Sequence, residues 1–233
     1  LIQNSDTGSR KSLLPVTAES DKNTQIWSYC LTFINKQTSR AAKSKRSKEL
    51  SISNLKSNQT GLFQMKISKL TTLRKKTELP IKEDSKILYL GASHGVTVDL
   101  LSNLVPKGHI FAIEISPLTI QNLLFLADKK KNISPIIADA NKPETYKNLI
   151  TKVDIIYQDI AQKNQIEILF KNLQFLKSDG FIILMLKLKA ISSTLPDEKI
   201  FQKAKEELSK KLKIENTFII ETHKDHVAFI LKN

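Results

Sequence analysis

A single cysteine, Cys30, in 233 residues excludes an internal disulfide and favours a reducing compartment. Glycine is scarce, with 6 residues and no G-x-G, so the full glycine-rich turn that a dinucleotide pyrophosphate needs is missing. Aromatic residues make up 6% of the chain and no RNA-recognition signature occurs among them, which argues against a base-stacking platform. The longest purely apolar run, Phe181 to Leu186, falls far short of a membrane span. The first 25 residues are polar and hold no apolar stretch of the signal-peptide kind, so an intracellular, soluble protein is expected. Acid is also in deficit. With 37 Lys and Arg against 23 Asp and Glu, the formal charge is +14, which predicts attraction to polyanions.

What is present changes character near residue 80. Residues 1–25, rich in Ser, Asp, Asn, Thr and Lys, read as a flexible polar segment. Residues 26–80 read as a small β-rich domain with a connecting helix. Gln25 to Asn35, Glu49 to Leu55 and Leu62 to Ile67 carry the β-branched and aromatic residues of strands. Ser68 to Lys76 reads as a helix, capped by Ser68 and ended by Pro80. This front part is the more basic one: the first 85 positions hold 16 of the basic residues and 7 of the acidic ones. Its densest run, Arg40 to Lys48, fits a solvated arm and an RNA contact equally well.

Over 81–233, apolar strands alternate with amphipathic helices. The pattern predicts strands at 86–90, 109–114, 134–138, 153–158, 180–187, 214–221 and 226–231, and helices near 97–105, 117–129, 143–150, 163–176 and 196–212. The expected fold is α/β, a Rossmann-like seven-stranded sheet. Only Thr222 to Asp225 separate the last two strands, too few residues for a crossover, so these strands pair as a terminal antiparallel hairpin.

In open α/β sheets, ligands gather outside the carboxyl ends of the strands. The first strand, KILYL, runs into Gly91-Ala-Ser-His-Gly95, and the second ends on Glu114, 19 residues beyond Gly95. Glycine lets backbone close on a ligand where a Cβ would collide, and a carboxylate at a strand end can accept from both hydroxyls of a ribose. Adenosine without phosphates fits this arrangement, which makes S-adenosyl-L-methionine the expected cofactor. Asp139, after the third strand, suits an adenine amino group, with helix capping as the competing role. Asp159, after the fourth, needs a cation opposite it, and Lys187 at the end of the fifth strand is the natural candidate.

In order and spacing, ILYLGASHGVTV, IFAIEIS, ADANKPETY, VDIIYQDIAQ, GFIILMLK and KDHVAFIL resemble the fibrillarin family of box C/D guide-RNA-directed 2′-O-methyltransferases, over roughly residues 66–233. The resemblance implies a SAM-dependent RNA ribose 2′-O-methyltransferase acting on rRNA. It also implies box C/D guide RNA, a Nop-family scaffold protein and a kink-turn-binding protein as partners, with no membrane and no metal. A Lys-Asp-Lys-His tetrad carries over onto Lys69, Asp159, Lys187 and His226. The matching cofactor set is Gly91, Ala92, Ser93, Gly95, Thr97, Glu114, Ile115, Asp139, Ala140, Asp159 and Gln162. Lys187 is then expected to contact the 2′-hydroxyl and take its proton, and His226 to position ribose or phosphate. His94 and Val96 stand where the family carries Ser or Ala and Thr, which keeps open a non-catalytic structural member of the same particle. A protein (histone glutamine) methyltransferase is the other alternative. Ile191 to Thr194 lies closer to the eukaryotic form, giving a nucleolar location, with the cytoplasm of an archaeon as the alternative.

Overall fold

The computed structural model describes residues 68–233. The polar segment 1–25, the strands expected at 25–35, 49–55 and 62–67, and the basic run 40–48 lie outside the described residues. The first element, α1 (Lys69–Arg74), begins where the Ser68 hydroxyl accepts from the Leu70 N–H at 3.3 Å, as the cap expectation required. Leu70 and Leu73 are fully buried, so this short helix is fixed by one apolar edge.

Thereafter come β1 (Lys86–Leu90), α2 (Val96–Leu104), β2 (His109–Glu114), α3 (Ile120–Lys129), β3 (Ile133–Ile137) and β4 (Val153–Gln158). They are followed by α4 (Gln165–Asn172), β5 (Leu176–Lys187), α5 (Leu188–Ile191), α6 (Asp197–Ser209), β6 (Lys213–Ile219) and β7 (His226–Lys232). The strands form one sheet in the order β3-β2-β1-β4-β5-β7-β6. Pairing is parallel from β3 through β5, and antiparallel for β5 with β7 and for β6 with β7. Helices cover both faces of the parallel part, so its strands are buried on both sides and read as continuous apolar runs, such as Ile87 to Leu90 and Ile182 to Leu186. Chain order reverses between β1 and β4. The crevice at their carboxyl ends is where a doubly wound sheet accepts ligand.

Six of the seven strands fall within two residues of their expected limits; β5 starts four residues earlier than expected, at Leu176. The helix expected at 143–150 is instead two 3₁₀ turns, Pro143–Thr145 and Lys147–Leu149. They break at Tyr146, whose φ of −129° lets its ring enter the core, stack on Phe175 and donate to Asn172 Oδ1 at 2.5 Å. The helix expected at 163–176 ends at Asn172 and tightens into a 3₁₀ turn over Leu173–Phe175. Among the described residues, no helix is long and apolar enough to cross a membrane.

Candidate active site

The turn after β1 owes its shape to two glycines in left-handed backbone, Gly91 at φ +84° and Gly95 at φ +88°. A Cβ on Gly91 would stand 2.6 Å from the Asp159 carbonyl oxygen, so only glycine lets the turn lie this close to the end of β4. The Gly91 and Ala92 N–H groups both donate to the Ile113 carbonyl at 3.0 Å, pinning the turn against β2. Glu114 completes the pin. Its carboxylate, 8% exposed, accepts from the Ser93 N–H at 2.6 Å and from the Ser116 N–H at 2.8 Å. Two charge-assisted hydrogen bonds offset the cost of burying that charge. Each oxygen keeps a further lone pair, which is what a ribose diol needs.

A cavity of about 240 Å³ opens beside this carboxylate. Of the expected cofactor set, Gly91, Ser93, Glu114, Ile115, Asp139, Ala140, Asp159 and Gln162 line it, whereas Ala92, Gly95 and Thr97 do not. Asp139 keeps a local duty as well: its Oδ1 accepts from the Asn141 N–H at 2.9 Å and fixes the turn after β3. Asn141, which the sequence reading passed over, also lines the cavity, and its side-chain amide donates to Gln162 at 3.2 Å. Apolar walls from Ile113, Ile160 and Ile168 surround these polar groups. A few aimed donors and acceptors in an apolar hollow suit an adenosine-bearing ligand. His94 is exposed, bonded to the Ser93 hydroxyl at 3.1 Å, and does not line the cavity.

Asp159 also faces a cation, and that cation is Lys69, not the Lys187 expected from the strand ends. The Lys69 ammonium donates to both carboxylate oxygens, at 2.6 and 2.9 Å. Both side chains are largely buried, with 16% and 20% of their surfaces exposed, so the pair is shielded from solvent screening. The Ser68 cap is the reason, because it starts α1 at the rim and sends the first helical side chain to β4. α1 is also tied at both ends. Ser68 Oγ lies 3.1 Å from Thr97 Oγ1, Thr72 Oγ1 lies 2.8 Å from Thr222 Oγ1, and Lys76 donates to Glu221 at 2.8 Å.

Lys187 and His226 are direct cross-strand partners in the antiparallel β5–β7 ladder. Gln165 holds the backbone of Lys187 at both groups, accepting from its N–H at 3.0 Å and donating to its carbonyl at 3.0 Å. Sequence reasoning missed Gln165, although a fully buried polar residue on the apolar stripe of α4 was a readable signal. His226 is 9% exposed and its Nδ1 lies 2.8 Å from the Lys224 carbonyl. Burial pushes its pKa below the ordinary 6.5, the charges of Lys69 and Lys187 add to that, and the Lys224 carbonyl and Asp159 oppose it. Of the four tetrad residues, Lys69 and Asp159 are in contact, Lys187 and His226 are neighbours, and the field of the first three reaches the imidazole.

A larger cavity of about 550 Å³, lined by His226 itself, opens between α6 and the β6–β7 turn. Asp197, Glu198, Glu221 and Asp225 line it together with His223 and Lys224, and two of these acids are already paired with lysines, Asp197 with Lys189 and Glu221 with Lys76.

Comparison with known proteins bears on this arrangement. The Fibrillarin family model matches residues 35–233. A fibrillarin-like rRNA/tRNA 2′-O-methyltransferase of Methanocaldococcus jannaschii is 45% identical over 155 residues, covering 65% of this chain and 67% of that protein. A crystal structure of a fibrillarin/Nop5p complex is similar at a TM-score of 0.69 and 40% identity, covering 70% of this chain and 80% of the other. Aeropyrum pernix fibrillarin, in complex with natively bound S-adenosyl-L-methionine, is similar at a TM-score of 0.65 and 32% identity, covering 71% of this chain and 75% of the other.

Proposed function

The chain belongs to the fibrillarin family, and we propose that it methylates ribose 2′-hydroxyls of rRNA, using S-adenosyl-L-methionine, as part of a box C/D guide ribonucleoprotein engaged in rRNA processing. One observation carries the reading. Asp159 lines the cavity beside Gly91 and also grips the Lys69 ammonium through both oxygens, so one carboxylate borders the donor site and the cation cluster.

Glu114 takes the ribose hydroxyls of the cofactor, Asp139 its adenine amino group, and the Gly91 turn gives the backbone room to close on it. When bound, this cofactor supplies a methyl group made electrophilic by a positively charged sulfur. The protein's remaining task is alignment plus removal of one proton, and alignment alone is worth several kcal/mol, up to ~7–11 in favourable cases. Lys69, fixed by Asp159, and Lys187, fixed through its backbone by Gln165, orient the sugar and its phosphates.

The partners follow the same reasoning. A net charge of +14 supports an RNA partner. The Nop5p complex of a similar fibrillarin supports a Nop-family scaffold. Guide RNA and a kink-turn-binding protein complete the particle, with guide pairing supplying the sequence specificity this chain lacks a module to read. Location divides between the nucleolus and the cytoplasm of an archaeon, and the archaeal relatives support the second.

Calorimetric titration with S-adenosyl-L-methionine, followed by transfer in a particle reconstituted from scaffold protein and guide RNA, tests the proposal. Binding with methylation of the guide-specified ribose is expected. Binding without transfer would move the chain to the structural reading, and transfer to protein alone would replace the substrate.

A further inference from the structure

Four ionisable groups stand on the sugar side, Asp159, Lys69, Lys187 and His226, and only one of them is built to receive a proton. Both oxygens of Asp159 hold Lys69 as an ammonium, at 2.6 and 2.9 Å. A lysine ammonium offers three donors and no acceptor. His226 differs in kind. The Lys224 oxygen 2.8 Å from its Nδ1 is a carbonyl and only accepts, so Nδ1 carries the hydrogen and Nε2 presents a lone pair. As the direct cross-strand partner of Lys187, His226 places its ring on the same face of the β5–β7 ladder as that side chain. From this geometry we infer that Nε2 of His226, and not the Lys187 amine, receives the proton of the substrate 2′-hydroxyl. The inference rests on the function proposed above and assigns a step within it.

The surroundings keep the ring neutral and ready. Burial lowers its proton affinity, and Lys69 from α1 and Lys187 from β5 add positive charge near it. Asp159 after β4 and the Lys224 carbonyl act in the opposite sense, and the net direction is down. His223, from the same turn, packs edge-on at 5.8 Å between ring centres. An imidazole on the base side of its titration at neutral pH keeps its lone pair free, which is the state general-base work requires. The two lysines then keep one duty each, orienting the sugar.

The step balances. The O2′–H bond breaks, its electron pair stays on oxygen, and the proton joins the Nε2 lone pair to give an imidazolium. That oxygen pair makes the new O–C bond to the methyl group while the C–S pair returns to sulfur. The positive charge lost from sulfur reappears on the ring, which later sheds its proton to water.

Single-turnover rates against pH, measured on the full chain assembled with its scaffold protein and guide RNA, test the assignment. The wild-type rate should rise with pH through an inflection below 6.5, the ordinary histidine value, and then level off. His226→Gln should abolish that rising limb and lower the rate by ~10²-fold or more, with cofactor affinity unchanged by calorimetry. Lys187→Arg keeps the charge but cannot lose a proton, so it should retain the limb. Nitrogen NMR of the free protein should show Nε2 unprotonated at neutral pH, a readout independent of activity. An unchanged limb in His226→Gln, loss of the limb in Lys187→Arg, or a hydrogen on Nε2 would overturn the assignment alone. A wild-type particle that binds cofactor but methylates nothing at any pH would overturn the proposed function and this step with it.

Discussion

The cavity beside Gly91 and the cluster around His226 share Asp159, yet they are assembled by opposite means. The first is built largely from backbone: four strand-end segments, at 91–93, 113–115, 138–141 and 159–162, with N–H groups that tie Glu114 and Asp139 in place. The second draws single side chains from α1, from the end of β4, from β5 and from β7. Backbone-built sites tolerate change in side chains but not in φ. Side-chain-built sites depend on whatever holds each element to the next. In this molecule those holds are hydroxyl pairs and one glutamine.

The largest effect is expected where the two halves meet. Asp159→Asn preserves shape but removes the charge that holds Lys69, and transfer should fall by ~10²–10⁴-fold in single-turnover assays. Cofactor affinity should weaken as well, since Asp159 lines both places. A loss confined to one readout would split the halves into independent sites. Next comes Glu114→Gln, which exchanges one acceptor for a donor facing N–H groups. Hydrogen bonds to a charged group contribute about 1.5–3 kcal/mol each, so the Kd for S-adenosyl-L-methionine should rise ~10- to 100-fold. The rate at saturating cofactor should stay near wild type. The smallest is Gln165→Leu, which removes both hydrogen bonds to the Lys187 backbone. About 2 kcal/mol of stability should be lost in denaturant titration, with a several-fold drop in transfer and unchanged cofactor affinity. An equal effect on both would mean that the backbone-built half also leans on this glutamine.

Legibility in the sequence follows the same divide. The Gly91–Gly95 turn, Glu114 and the terminal hairpin could be read locally, because a glycine pair after a strand, an acid at the end of the next strand and a connection too short for a crossover each show within a short stretch of residues. The tetrad was reached through resemblance, since no local rule joins Lys69 to Asp159 across 90 positions. Strand-end reasoning supplied the need for a cation there but the wrong lysine, because it took no account of the helix that Ser68 starts at the rim. The helix expected at 143–150 failed for a tertiary reason: burying Tyr146 against Phe175 and Asn172 stabilises more than one continuous turn of helix would. Thr97 was expected on the cofactor but stands off the cavity wall, its hydroxyl beside that of Ser68.

The tethers on α1 set a dimension. Ser68 and Thr72 stand four residues apart, a rise of about 6 Å, and the stretch between them is clamped to the first turn of α2 through Thr97 and to the β6–β7 connection through Thr222. A spacer held at both ends acts as a gauge block for Lys69, which lies between the two tethers, and presets where its ammonium meets Asp159.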